Sequence, residues 1–92
     1  EGPLANRKVL GYDIPSFPEW ARELGMLEAA VAIKFYVSPE GDVIESSMRI
    51  HNTSGYGRLD KMVMESLKNW KFAPLNAEEK QWGIITFRFI LE

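Results

Sequence analysis

The chain has 92 residues, the usual length of a single domain, and a formal net charge of -2 from 11 Lys and Arg against 13 Asp and Glu. Its 46% hydrophobic and 26% charged residues are globular proportions, which argue against a disordered or fibrous chain. There is no Cys and one His, so disulfides and thiolate metal sites are excluded and an imidazole site would have a single ligand. We expect neither a metal nor another cofactor.

Charge and hydropathy also limit the possible partners. Lys and Arg form no cluster that would release counterions from a phosphate backbone, so nucleic acid is not an expected partner. No apolar run approaches the roughly 20 residues that cross a bilayer, and no charged-then-apolar leader opens the chain. As given, the chain is expected to be soluble.

The first predicted feature is an N-terminal extension ahead of the domain. Residues 1–13 are interpreted as a linker or a short strand, and residues 14–92 as the domain proper. Val9 to Tyr12 would supply the short strand, at one margin of the sheet. Residues 1–4 carry no structural signal.

A short helix is predicted from Pro18 to Leu24. Ser16 precedes Glu19 by three residues, as in a capping box, and Pro18 suits a first helical turn. Gly25 follows as a left-handed terminator.

A hairpin is predicted next. Apolar residues occupy the odd positions from Ala29 to Val37, which is the two-residue period of a strand. Pro39 and Gly41 supply turn chemistry, and a second strand should run back from Val43 to His51. Ser46 interrupts the apolar row of that strand and indicates a bulge. The expected apolar row is Ile44, Met48 and Ile50.

A second helix and a third strand complete the predicted elements. Apolar residues recur at three- and four-residue spacing from Leu59 to Trp70, which predicts an amphipathic helix that ends before Pro74. Leu75 to Lys80 reads as a loop. Gln81 to Leu91 alternates again and predicts the last strand.

These elements predict an α+β fold, a two-layer sandwich in which both helices cover one face of a three-stranded sheet. The helix between the second and third strands implies that those strands run parallel with the first strand between them. The sheet is therefore antiparallel or mixed, with the order 2-1-3 and a possible extra N-terminal strand. The expected core is Trp20, Leu24, Val31, Ile33, Phe35, Met48, Leu59, Val63, Leu67, Trp70, Ile85, Phe87 and Phe89.

Several short motifs follow one another in a recognisable order. They are Phe17-Pro18, Gly41, Ser54-Gly55, Leu59-Asp60, Trp70-Lys71-Phe72-Ala73-Pro74 and Thr86-Phe87-Arg88-Phe89. No single motif is diagnostic, but the ordered set resembles the TonB C-terminal domain family over about Ile14 to Leu91.

The resemblance implies a non-enzymatic, periplasmic domain of an energy transducer anchored in the inner membrane. Its partners would be a peptide segment of an outer-membrane protein and, through a part missing from this chain, a proton-driven motor complex of the inner membrane. Related domains serve gliding motility, Tol-like envelope maintenance or secretion, so transport and motility both stay open. A third alternative is a structural module that forms a homodimer.

In the family the last strand grips the partner. An open sheet edge carries unpaired N–H and C=O groups, to which an extended peptide adds as a further strand. The alternative is a protected edge on which Arg88 acts as a guard charge. If Val9 to Tyr12 paired along this strand, it would block the docking edge. The expected partner-binding residues are Gln81, Trp82, Gly83, Ile84, Ile85, Thr86, Phe87, Arg88, Phe89 and Ile90.

The sheet face away from the helices is a second candidate contact surface. The N-terminal segment, a second copy of the chain or a partner would cover it, unless its residues are simply semi-exposed strand formers. Its expected apolar residues are Ala32, Tyr36, Trp82, Ile84 and Ile90.

No catalytic residues are predicted. His51, Ser54 and Asp60 lie close in sequence, but a hydrolytic triad requires hydrogen bonds in space, and no nucleophile-elbow motif surrounds them. Glu40 and Asp42 are interpreted as turn residues, because two carboxylates fall short of the ligand count that calcium requires.

Overall fold

The computed structural model describes residues 2–75 and 79–91. Asn76, Ala77 and Glu78 of the predicted loop, and the terminal residues 1 and 92, lie outside the described residues. The elements in chain order are a 3-10 turn (Pro3–Asn6), β1 (Val9–Gly11), α1 (Glu19–Glu23), β2 (Glu28–Val37), β3 (Val43–Asn52), α2 (Gly57–Leu67), β4 (Lys71–Phe72) and β5 (Gln81–Ile90).

The main sheet has three strands in the order β3-β2-β5. Both outer strands run antiparallel to β2 and hence parallel to each other, which confirms the predicted order. β2 and β5 pair without a register shift, from Glu28 opposite Ile90 to Val37 opposite Gln81.

The core lies between this sheet and the two helices. Ala21 of α1 and Leu59 of α2 pack in one cluster with the odd-numbered residues of β2. Leu24, predicted in the core, is 63% exposed, because α1 turns the fully buried Ala21 toward the sheet instead. Trp20 and Ile85 are only partly buried. The other predicted core residues are buried.

Both helices are shorter than predicted. The N-cap of α1 is Pro18 and no side chain caps it, so the predicted capping box of Ser16 and Glu19 does not form. The chain leaves α1 through Gly25, whose φ of 78° is the expected left-handed terminator. α2 ends at Leu67, so Trp70 lies beyond it. No helix in the described part of the chain is long and apolar enough to span a membrane.

A bulge interrupts β3 where Ser46 predicts one. From Lys34 to Tyr36, β2 advances two residues while β3 advances five, from Ile44 to Arg49. β3 thus contains three more residues than β2 between these pairs (five minus two). Because three is an odd number, the alternation of side chains in β3 is shifted by one across the bulge, and residues before and after it lie on opposite faces from those expected. Ile44 therefore pairs with Tyr36 on the face away from the helices, whereas Met48 is buried in the core. The prediction that both share one face is wrong for Ile44.

The N-terminal strand exists, but not at a margin of the main sheet. β1 pairs antiparallel with β4 in a separate two-stranded sheet, with Val9 opposite Phe72. The residues between the second helix and Pro74 thus include a short strand, and the Phe72 side chain is buried in the core. The sequence pattern does not reveal β4, because two residues are too few to show a period.

Arg7 ties three parts of the chain together. Its Nε donates to the Ala73 carbonyl at 2.6 Å, and its Nη2 donates to the carbonyls of Ser38 and Pro39, both at 2.9 Å. The residue is 7% exposed. Charge-assisted hydrogen bonds of this kind are stronger than neutral ones, so they fix the N-terminal segment to the hairpin turn and to the segment after β4.

Gly41 lies where the hairpin turn meets β4. Its φ is 104°, and its carbonyl accepts a hydrogen bond from the Phe72 N–H at 2.9 Å. A Cβ at this position would lie 2.0 Å from the Phe72 carbonyl oxygen. The two backbones therefore approach each other more closely than any side chain allows.

We predict that Gly41→Ala destabilises the domain by about 2 to 5 kcal/mol, from left-handed strain and overpacking together. Gly55→Ala is the matched control, because Gly55 has a φ of 90° but no atom within 4 Å of its Cβ position; it should cost only the strain, about 1 to 2 kcal/mol. Denaturant unfolding of both variants measures the difference. Equal losses would show that the close approach to Phe72 has no energetic consequence.

Candidate partner-binding edge

β5 is an edge strand whose outward backbone groups are identified by one hydrogen bond. The Leu91 N–H donates to the Leu27 carbonyl at 2.9 Å, one step beyond the pair of Glu28 and Ile90. Bonded and non-bonded pairs alternate in an antiparallel ladder. The odd-numbered residues of β5 therefore bond to β2, and the even-numbered residues direct their N–H and C=O groups away from it.

Tyr36 supports this assignment from the other side of β2. If odd-numbered residues of β2 bond to β5, even-numbered ones must face β3. The Tyr36 N–H points toward β3 as required, because it donates a hydrogen bond to the Oγ of Ser47 in β3 at 2.9 Å.

The N-terminal segment, residues 2–7, covers the beginning of the outer edge. Gly2 lies so close to Trp82 that a Cβ on it would be 3.0 Å from the Trp82 carbonyl oxygen and 2.8 Å from the ring. A Cβ on Gly83 would be 2.8 Å from the Leu4 side chain, which is only 5% exposed. The segment thus wraps around the edge at Trp82 and Gly83.

This arrangement changes two expectations for the N terminus. The sequence of residues 1–4 carries no structural signal, yet Leu4 is part of the core. Val9 to Tyr12 does not block β5, because β1 pairs with β4. The available signal was Gly83 itself, since a glycine inside a strand often marks a close approach of another backbone.

The second half of the edge is not covered by any described part of the chain. Thr86, Arg88 and Ile90 direct their backbone groups outward, and no described segment pairs with them. All three side chains are exposed, Ile90 by 68%. Arg88 forms no ion pair with any described residue. The predicted edge residues therefore divide into a covered beginning and an uncovered end.

The sheet face away from the helices is only partly apolar at its surface. Tyr36 pairs with Trp82, which places both rings on this face, and Ala32 there is 3% exposed. The Lys34 Nζ lies 4.9 Å from the centroid of the Trp82 ring, and the Lys80 Nζ lies 5.0 Å from that of Tyr36. The two lysines shield the rings through cation–π contacts. Tyr36, Trp82 and Ile84 are half-buried and Ile90 is exposed.

His51, Ser54 and Asp60 do not form a triad in the described structure. The Ser54 Oγ donates to the Asp60 Oδ1 at 2.6 Å, while no hydrogen bond joins His51 to either residue among those described. His51 is exposed on β3. Ser54 and Asp60 instead close the loop ahead of α2.

Asp60 is a buried carboxylate in the first turn of α2, and it binds the loop that precedes the helix. It accepts hydrogen bonds from the Ser54 N–H at 3.0 Å and from the Thr53 hydroxyl, in addition to that from the Ser54 hydroxyl. Burial raises the pKa of Asp60, but the hydrogen bonds from Ser54 and Thr53 stabilise the charged form and lower the pKa below 3.8. The carboxylate therefore has a structural role in the loop, near the start of α2.

No three His, Cys, Asp or Glu side chains come together as a metal site within the described ranges. Glu40 and Asp42 are both exposed. Asp42 forms an ion pair with Lys71 at 2.5 Å, and this contact joins the hairpin turn to β4.

Comparison with known proteins identifies the family. A family model described as "Gram-negative bacterial TonB protein C-terminal" matches residues 14–91. The chain therefore belongs to the TonB C-terminal family.

Two individual proteins are similar to the chain. An uncharacterized protein of Aquifex aeolicus (strain VF5) is 41% identical over 59 residues, which are 64% of this chain and 27% of that protein. The solution NMR structure of the Pseudomonas aeruginosa TonB CTD has a TM-score of 0.75 at 22% identity, and the match covers 96% of this chain and 89% of that one. The NMR structure confirms the fold predicted from the resemblance.

We predict that the Asp60 carboxylate makes the stability of the domain fall at acid pH. Because the pKa of Asp60 is lower in the folded than in the unfolded chain, its stabilisation is complete above about pH 5 and is lost progressively as the pH falls through the folded value. Asp60→Asn should lose about 1 to 3 kcal/mol at pH 7 and show a smaller further loss on acidification.

Unfolding free energies measured from pH 7 to pH 2 test this prediction. Glu40→Gln removes an exposed carboxylate and serves as the control. The prediction is wrong if Asp60→Asn and the parent chain lose the same stability between these pH values.

Proposed function

We propose that the chain is the periplasmic terminal domain of a TonB-like energy transducer, and that it docks a partner rather than catalysing a reaction. In this proposal the outer edge of β5 receives an extended segment of an outer-membrane protein as an added strand. The observation that carries the proposal is the outward direction of the backbone groups of Thr86, Arg88 and Ile90. Unpaired edge groups of this kind are the usual template for strand addition.

The energetics favour a reversible grip. Thr86, Arg88 and Ile90 offer three N–H and three C=O groups, and each hydrogen bond contributes about 1 kcal/mol net. Part of this is offset by the cost of ordering the peptide, which leaves an affinity of roughly micromolar or weaker. Such an affinity suits a domain that must engage a partner, transmit force and release it.

The force itself would come from elsewhere in the protein. The proposal assigns an inner-membrane anchor and contact with a proton-driven motor complex to sequence outside these 92 residues. The domain would then transmit force from the motor to the outer-membrane partner.

The same open edge serves the alternatives. A partner from gliding motility, Tol-like envelope maintenance or secretion would add to β5 in the same manner. A second copy of the chain would also pair with this edge and form a homodimer. Sedimentation across a concentration range detects the homodimer, and Trp82→Ser tests whether the sheet face takes part.

We predict an alternating pattern of amide hydrogen exchange along β5. In the free chain the amides of Ile85, Phe87 and Phe89 should be protected by β2, whereas those of Thr86, Arg88 and Ile90 should exchange rapidly. An extended peptide from an outer-membrane partner should slow the three even-numbered amides. Exchange detected by NMR with and without the peptide measures both patterns.

A proline substitution makes this test specific. Thr86→Pro removes an outward N–H without removing a bond to β2, so it should weaken peptide binding about threefold to tenfold, as expected for one lost hydrogen bond. Thr86→Ala keeps the N–H and is the matched control. If peptides bind Thr86→Pro as tightly as Thr86→Ala, or protect no even-numbered amide, strand addition at β5 is excluded.

A further inference from the structure

The side-chain position at Gly83 is a notch that another part of the chain fills. Gly83 is odd-numbered, so its missing side chain would point toward the helix side of the sheet. The Leu4 side chain occupies that space, at 2.8 Å from the Cβ position. Gly83 is buried as a result.

The notch opens into a mostly apolar cavity. The cavity has a volume of about 270 Å³, and its lining combines the apolar side chains of Leu4, Val9, Phe35, Trp70, Phe72 and Ile85 with the charged side chain of Arg7. The aliphatic and aromatic part of this lining offers a large apolar side chain a place to be buried.

We propose that Leu4 occupies the site of a partner side chain, and that the Gly83 notch selects an extended partner carrying a large aliphatic residue. This inference rests on the proposed function, because it concerns the same edge. A strand added along β5 places the residue opposite position 83 on the face where Gly83 has no side chain. That residue enters the notch when Leu4 leaves.

The geometry of the N-terminal segment supports this exchange. Residues 2–4 pass around the edge at Trp82, so the whole length of β5 is accessible only when the segment moves. Arg7 stays fixed by its hydrogen bonds to Ala73, Ser38 and Pro39. The segment can therefore open from its N-terminal end while its attachment point is retained.

The exchange has a measurable cost for partner binding. Burial of a leucine side chain favours the closed segment by about tenfold to a hundredfold. The apparent affinity for a partner that spans Trp82 to Ile90 is lowered by the same factor, because only open molecules bind it. A variant that cannot close should recover this factor.

Leu4→Lys in the complete chain provides the test, because a charged side chain is disfavoured in the mostly apolar notch and a positive one is also repelled by Arg7, which lines the same cavity. Leu10→Lys is the matched control: it makes the same change in the same region, at a residue that is 55% exposed. The probes are two eight-residue peptides of Thr with a Lys at each end, one with a central Leu and one with a central Ser. Binding is followed by NMR through the amide signals of β5.

We expect Leu4→Lys to bind the Leu peptide about tenfold to a hundredfold more tightly than the parent chain and Leu10→Lys do. It should also prefer the Leu peptide to the Ser peptide, with the Gly83 amide among the most shifted. Leu4→Ala should show the same effects more weakly. This second variant keeps the test valid if Leu4→Lys does not fold, as judged from the core amides of Ile33 and Phe35.

The outcomes separate this inference from the proposed function. Equal binding of the Leu peptide by the parent chain, the Leu4 variants and Leu10→Lys overturns the proposal of the notch, while strand addition stands. Equal affinity of the Leu4 variants for the two peptides overturns the selection of an aliphatic residue. Binding of neither peptide by any variant overturns both proposals.

Discussion

The uninterrupted register between β2 and β5 is the constraint on which the other features depend. It buries the odd-numbered side chains of β5 against the helices and at the same time uses their backbone groups for the ladder to β2. The even-numbered residues of β5 consequently direct their backbone groups away from β2, and their side chains lie on the sheet face away from the helices. A slip of one residue would expose the phenylalanines of β5 to solvent and would exchange the two sets of backbone groups.

The second constraint is the close contact between the hairpin turn and β4. Gly41 and Phe72 meet backbone to backbone, and Arg7 bonds to carbonyls on both sides of that contact. This small cluster holds the chain ahead of β1 in a fixed direction, which leads residues 2–4 to the beginning of β5. The cluster therefore links local turn chemistry to the accessibility of an edge that is distant in sequence.

Much of the fold follows from the sequence because its signals are local and repeated. The two-residue period of β2 and β5 and the apolar stripe of α2 each extend over several residues, and burial of one face leaves little choice of register. Leu24, Ile44 and β4 were not predictable in this way. The exposure of Leu24 depends on how a single helical turn is oriented. The face on which Ile44 lies depends on an odd number of bulged residues. The formation of β4 depends on a partner strand some sixty residues away.

Some features of the candidate site can likewise be predicted from the sequence, and others cannot. The sequence alone determined that the last strand alternates and that the chain resembles the TonB C-terminal family. Only the tertiary structure decided which backbone groups face outward, and that Leu4 rather than Val9 to Tyr12 lies against the beginning of β5. The reason is physical: alternation is a property of neighbouring residues, whereas the coverage of an edge depends on contacts between segments that the chain brings together only when it folds.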